Sequence, residues 1–164
     1  MTRRLILMRH AKSSWGDPQL PDHERPLNSR GRRAAHLLGD WLRAHAPLPD
    51  QALVSTSLRT RESWDGLGLG LLPELHEDLY HAEPPQLLDS LQRASGGVVL
   101  VLAHNPGIGL FAARLLREPP AHPRFADYPT GATLVAEFDI ADWSALRPGT
   151  GRVVDFVVPR ELET

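Results

Sequence analysis

An arginine and a histidine stand together at the end of a short apolar run, Leu5-Ile6-Leu7-Met8-Arg9-His10. Such a run is a strand candidate, and the dipeptide falls where the strand would give way to a loop. A histidine so placed reads as a nucleophile at the mouth of an anion pocket. Taken alone, the same dipeptide also reads as a strand-end cap. Two residues of matching character follow other candidate strands: Arg59 after Ala52 to Ser55, and His104 after Val98 to Ala103, where it opens His104-Asn105-Pro106-Gly107. In open α/β sheets, ligands bind beyond the carboxyl ends of the strands. A parallel sheet would therefore bring Arg9, His10, Arg59 and His104 to one end of the molecule.

The elements needed for that arrangement can be read along the chain. Leu5 to Met8 is continuously apolar, as a strand buried on both faces requires. Ala11 to Leu27, with two prolines and many polar groups, is expected to run over the surface. Asn28 can cap a helix whose apolar positions are Ala34, Leu37, Leu38, Trp41, Leu42 and His45, with Pro47 and Pro49 ending the pattern. The strand Ala52 to Ser55 precedes a helix over Ser57 to Leu67, with Arg59 in its first turn and Gly66, Gly68 and Gly70 breaking it. Leu75 to Tyr80 reads as a short edge strand and an irregular turn. Pro84-Pro85 opens a helix with Leu87, Leu88 and Leu91 on its buried face. After the strand Val98 to Ala103, Ile108, Phe111, Ala112, Leu115 and Leu116 mark another helix, stopped by Pro119-Pro120. Ala121 to Pro129 is an ordered surface loop. Strands over Ala132 to Phe138 and Arg152 to Val158, with a helical turn near Trp143, complete the chain. This β-then-α rhythm predicts a three-layer α/β/α fold with a mostly parallel central sheet and an antiparallel edge strand.

At 164 residues the chain supports one core, so residues 1–164 are expected to form a single catalytic domain. A hydrophobic share of 41% and a net charge of −2 call for neither nucleic acid nor a membrane surface as partner. With no cysteine, thiolate catalysis, disulfides and sulfur-ligated metals are excluded. The apolar run after Arg3-Arg4 is too short for a secretory signal, and no later run is long enough to span a bilayer. The expected setting is the cytoplasm. The oligomeric state is left open.

Taken in order, the motifs resemble the histidine phosphatase superfamily, also called phosphoglycerate mutase-like, and within it the small SixA-type phosphohistidine phosphatases. The blocks are Leu7-Met8-Arg9-His10-Ala11-Lys12-Ser13, Arg25-Pro26-Leu27-Asn28 with Gly31, Ser55-Thr56-Ser57-Leu58-Arg59-Thr60, Val101-Leu102-Ala103-His104-Asn105-Pro106-Gly107, and Pro129-Thr130-Gly131-Ala132. The resemblance implies that His10 is the phosphorylated histidine, His104 the second histidine, and Arg9 and Arg59 the phosphate-holding arginines. It implies no cofactor and no metal. The chemistry agrees, because a phosphoryl group in transfer needs donors and positive charge around three oxygens, and guanidinium forks supply both. Arg61 competes with Arg59 for the pocket position. Lys12, Ser13, Arg25 and Asn105 are further candidates for phosphate or substrate binding, and Asp22 and His23 for the entrance. Arg25 reads equally as a loop-holding partner of Asp22 or Glu24, and Asn105 as part of an ordinary turn.

Two departures from the superfamily pattern stand out. Ala11 occupies a position where glycine is usual, which disfavours a positive φ there. The carboxylate general acid of larger relatives has no decisive match. Glu74, Glu77, Asp78 and Glu83 are available, and Glu77 and Glu83 are the candidate acids. Without an acid an alkoxide leaves badly, whereas a protonated imidazole leaves readily. The expected activity is therefore metal-independent removal of phosphoryl groups from a protein histidine through a covalent phosphohistidine intermediate. The alternative is a phosphomonoesterase acting on small phosphate esters. The partner is thus a phosphohistidine-bearing protein or a small phosphorylated molecule. A non-catalytic phosphate-binding module gives no reason for two histidines after two strands, and zinc on His10 and His104 would be repelled by the arginines.

Overall fold

The apolar run that delivers Arg9 and His10 lies at the centre of a six-stranded sheet. In a computed structural model describing residues 1–163, β1 (Arg3–Arg9) pairs in parallel with β4 (Val98–Ala103) on one side. On its other side it pairs antiparallel with β5 (Thr133–Phe138). Beyond β4 lie β2 (Gln51–Ser55) and the short β3 (Glu74–His76), both parallel to their neighbours; beyond β5 lies β6 (Arg152–Val157), giving the order β3-β2-β4-β1-β5-β6.

The mostly parallel sheet matches the expectation from sequence. Its antiparallel strand, however, is β5, which has neighbours on both sides, while the edge is β6. The cause is local: the chain returns after its last long helix to the carboxyl end of β1, so β5 must run back from there. The Gly131 N–H donates to both the Arg9 and His10 carbonyls, and the Arg9 N–H donates to Ala132. Gly131 has φ +76°, and a β-carbon there would meet Pro159 Cγ at 2.5 Å, so this return requires glycine.

Among the described residues, four helices cover the sheet: α1 (Ser29–His45), α2 (Leu58–Leu67), α3 (Pro84–Gln92) and α4 (Gly107–Leu115). Side chains alternate across a strand, and β1 buries both sets. Ile6 and Met8 pack with Leu38 and Leu42 of α1 and Trp64 and Leu67 of α2. Leu5 and Leu7 pack with Leu87 and Leu91 of α3 and Ile108, Phe111 and Leu115 of α4. The result is the expected three layers. Full burial of one such leucine contributes about 1.5–3 kcal/mol, so β1 is held firmly from both sides.

Asn28 caps α1 by accepting from the Gly31 N–H at 2.8 Å. Trp41 and Leu42 are buried, but His45 at the end of the helix is exposed, its ring stacked on Trp41. Gly66 lies inside α2 rather than ending it: a β-carbon there would stand 2.6 Å from Ala35 Cβ, so the glycine lets α1 and α2 approach. Gly68, with φ +64°, ends α2. Among the described residues no helix is long and apolar enough to cross a membrane.

Candidate active site

Because β1, β2 and β4 are parallel, the residues after them emerge on one edge of the sheet, as the sequence predicts. Arg9, His10, Arg59 and His104 line a single cleft of about 300 Å³, together with Lys12, Ser13 and Arg25. The ring centroids of His10 and His104 are 5.3 Å apart. Among the described residues, four cations and no carboxylate line this cleft.

His10 is only 6% exposed. Its backbone N–H continues the sheet ladder onto the Ala103 carbonyl at 3.1 Å. Its ring Nδ1 bonds the Ala11 carbonyl at 2.7 Å; an acceptor there requires Nδ1 to carry the hydrogen, which leaves the Nε2 lone pair free. Burial pushes the imidazole pKa down to about 3, assisted by Arg9, Arg59 and Arg25 and opposed by the Ala11 carbonyl. The result is a neutral, oriented imidazole with its Nε2 lone pair unused. Ala11 does not share the left-handed backbone found at His81 and Tyr128, so its methyl causes no strain. Its N–H donates to Ser63 Oγ, which in turn donates to the Arg59 carbonyl.

His104, also buried, has Nε2 2.7 Å from Ser55 Oγ and Nδ1 3.4 Å from Arg59 Nη2. Burial, with His10, Arg59 and His81 adding to it, pushes its pKa down to about 2. The serine hydroxyl can accept from Nε2–H or donate to a bare Nε2. Nδ1 can therefore receive or offer a proton while the ring stays in place.

The arginines are fixed by different elements. Arg9 Nη1 donates to the Tyr128 carbonyl at 3.1 Å. Arg59, in the first turn of α2, donates through Nη1 and Nη2 to the Asp22 carbonyl and carboxylate at 2.7 and 3.0 Å. Arg61 points away, its Nε on the Thr56 carbonyl, so Arg59 is the arginine of the cleft. Arg25 is both a lining residue and a partner of the entrance loop. It lines the cleft and donates to Ser13 Oγ, and its Nε stands 3.3 Å from Asp22 Oδ1, an ion pair without hydrogen-bond alignment. Asp22 thus joins two of the three guanidiniums. Burial opposes its ionisation, but hydrogen bonds from Tyr80 and Arg59 and the charges of Arg59 and Arg25 hold its pKa at about 2.

Among the described residues, buried guanidinium nitrogens on all three arginines lack a hydrogen-bond partner: Nε of Arg9 and of Arg59, and Nε and Nη1 of Arg25. Each such group costs about 1–3 kcal/mol or more. A fold that retains several around one cleft has charge left over for an anion.

Other candidates are distributed differently. Lys12 is exposed at the rim. Asn105 borders the cleft, but both its amide hydrogens go to the Asp127 and Tyr128 carbonyls and its oxygen accepts from Gly109. With its amide group engaged in this way, the Asn105 side chain shapes the turn rather than gripping an anion. Glu77 and Glu83 are exposed and do not line the cleft. Glu83 precedes α3 with its N–H on Gln86, in a neighbouring recess; Glu77 sits in the helical turn Glu77–Leu79. The short β3 gives way to that turn, which carries Glu77, while Glu83 stands at the start of α3. His23 bonds Thr56 and abuts Tyr80 edge-on, bracing the entrance loop.

Three lining residues were missed from sequence: Trp15, His81 and Thr130. Trp15 is 77% exposed and lies under the Arg25 guanidinium, 3.4 Å from its ring centroid. A lone aromatic in an irregular segment gives no signal of this. His81 did carry one, since it follows a strand at the same edge of the sheet as His10 and His104.

Comparison with known proteins bears on the family and the fold. The family model of the histidine phosphatase superfamily (branch 1) matches residues 5–82. A Mycobacterium tuberculosis protein of unassigned role is 34% identical over 160 residues, spanning 93% of this chain and 100% of the relative. The structure of a candidate phosphohistidine phosphatase SixA from Nakamurella multipartitia superposes with a TM-score of 0.86 at 27% identity, covering 97% of each chain. The fold is also that of the protein histidine phosphatase SixA complexed with tungstate, with a TM-score of 0.76 at 23% identity over 98% of this chain and 99% of that one. By fold, relatives and family match, this chain belongs to the histidine phosphatase superfamily (branch 1) and is a phosphatase.

Proposed function

We propose that the chain is a single catalytic domain that removes phosphoryl groups from a protein histidine without a metal. The observation that carries this reading is the neutral His10, its Nε2 free, in a cleft lined, among the described residues, by cations and no carboxylate. Nε2 attacks phosphorus as the P–N bond to the substrate imidazole breaks, giving phosphohistidine on the enzyme; water then releases phosphate. Arg9, Arg25 and Arg59 hold the phosphoryl oxygens, with Lys12 and Ser13 at the margin. His104 donates from Nδ1 as charge shifts onto those oxygens. The arginines supply the charge neutralisation that a metal would otherwise provide.

The likeness to SixA structures supports a protein substrate, as does the opening of the cleft to solvent beside the exposed Trp15. On this reading the enzyme works in the cytoplasm on a phosphohistidine-bearing protein. The test offers, in the presence of a chelator, a histidine-phosphorylated protein beside a panel of sugar and aryl phosphates. Preference for the protein, with an acid-labile and base-stable adduct that disappears in His10→Ala, supports the reading. Efficient turnover of one ester in preference to the protein would replace it with a small-molecule phosphomonoesterase.

A further inference from the structure

The cleft has a third imidazole that the mechanism above leaves unused. His81 lies between β3 and α3, with its ring centroid 5.9 Å from that of His104 and 4.0 Å from that of Tyr80. Its side chain is 62% exposed, in contrast to buried His10 and His104, and Nε2 stands 3.5 Å from Asp22 Oδ2. Its backbone is left-handed at φ 57°, an uncommon conformation outside glycine. A close contact fixes this loop against the catalytic strand end: Gly107, three residues after His104, approaches the Ala82 carbonyl so closely that a β-carbon would stand 1.8 Å from its oxygen. The fold therefore brings the residue before Ala82 to the side of His104.

We propose that His81 is the proton carrier of the phosphatase reaction, occupying the role for which no carboxylate among the described residues lines the cleft. In the first step the His10 Nε2–P bond forms as the bond from phosphorus to the leaving atom breaks, and protonated His81 gives its proton to that atom. The leaving atom is a ring nitrogen of a substrate histidine or the oxygen of an ester. In the second step a water attacks the phosphoryl group on His10, and neutral His81 takes the water's proton; inorganic phosphate leaves, and both histidines return to their starting states. The groups facing His81 are Asp22, whose carboxylate also pairs with Arg59 on its far side, and the rings of Tyr80 and His104, which flank it. His81 also has the solvent access that proton exchange requires, which buried His104 lacks.

This inference rests on the proposed attack by His10, so the two are tested separately. The adduct on His10 in the wild-type chain reports the attack. The proton is read from kcat/KM, which covers steps through departure of the leaving group, for aryl phosphates whose departing phenols differ in acidity. In His81→Asn, a residue that tolerates the left-handed backbone, phenyl phosphate should lose about 100-fold or more and para-nitrophenyl phosphate no more than about threefold, because nitrophenolate departs without a proton. His81→Gln should show the same divergence and serves if the asparagine variant fails to fold. A uniform loss across the series would make His81 a binding or positioning residue and overturn the proposal. So would an unchanged series, or a wild-type chain that forms its His10 adduct from phosphohistidine but from no aryl phosphate.

Discussion

Ser55 Oγ lies 2.7 Å from Nε2 of His104, and both side chains are buried. This one bond fixes the imidazole that faces the cleft through its other nitrogen. Ser55→Ala leaves a buried ring nitrogen without a partner, at a cost of about 1–3 kcal/mol. The expected result is a fall in kcat of about tenfold with KM little changed, together with a lower urea midpoint. An unaltered kcat would remove Ser55 from any role in orienting His104.

Arg59→Ala should lower kcat/KM by about 1000-fold, because it removes a planar donor from the phosphoryl oxygens. Asp22 keeps Tyr80 and Arg25 as partners in that variant, so the fold should survive. Arg59→Lys should recover little, since an ammonium cannot donate to Asp22 and to the anion with the same fork. Steady-state kinetics beside thermal melting separates the effects; a collapse of stability with retained turnover would identify Arg59 as a structural ion pair.

Acid should destabilise this protein through its buried histidines. Unfolded imidazoles take up protons below about pH 6.5, whereas folded His10 and His104 do so only near about 3 and 2. Between those values the unfolded state binds more protons, so stability falls as pH falls, by up to about 1.4 kcal/mol per pH unit for each histidine. Urea midpoints measured from pH 7 downward should show this loss, and His10→Gln should show about half of it from these two positions. Equal slopes in the two proteins would contradict the folded-state pKa of His10.

Trp15 is the exposed tryptophan, while Trp41, Trp64 and Trp143 are buried. Acrylamide should therefore quench mainly Trp15, and phosphate or tungstate should alter that quenching by acting on the Arg25 stacked over it. Trp15→Ala should raise KM for a phosphorylated protein several-fold and leave melting almost unchanged. Quenching that persists in Trp15→Phe at the wild-type level would show that another tryptophan is responsible.

The sequence is most legible where apolar pattern and backbone chemistry agree. Leu5 to Met8 and Val98 to Ala103 read as buried strands because their side chains must satisfy two helical layers, and Asn28 marks the start of α1 through its side-chain oxygen. Arg9, His10, Arg59 and His104 could be placed together because parallel strands expose their carboxyl ends on one edge. The position of β5 could not be read, since strand order depends on which neighbour the returning chain meets. Asn105 looked available for an anion because its bonds to the Asp127 and Tyr128 carbonyls reach a segment over twenty residues away. Glu83 drew attention by preceding a helix, but helix position does not reveal which way a side chain faces.

The double grip of Gly131 on the Arg9 and His10 carbonyls has a consequence for synthesis. A ribosome that has delivered the chain through His104 has produced both buried imidazoles and Arg9, Arg25 and Arg59, but not the amide that pins the loop at His10, nor the Tyr128 carbonyl that holds Arg9. Such a nascent chain cannot yet organise its cleft, so enzymatic competence arrives only after the late strand β5 has slotted beside the first one made.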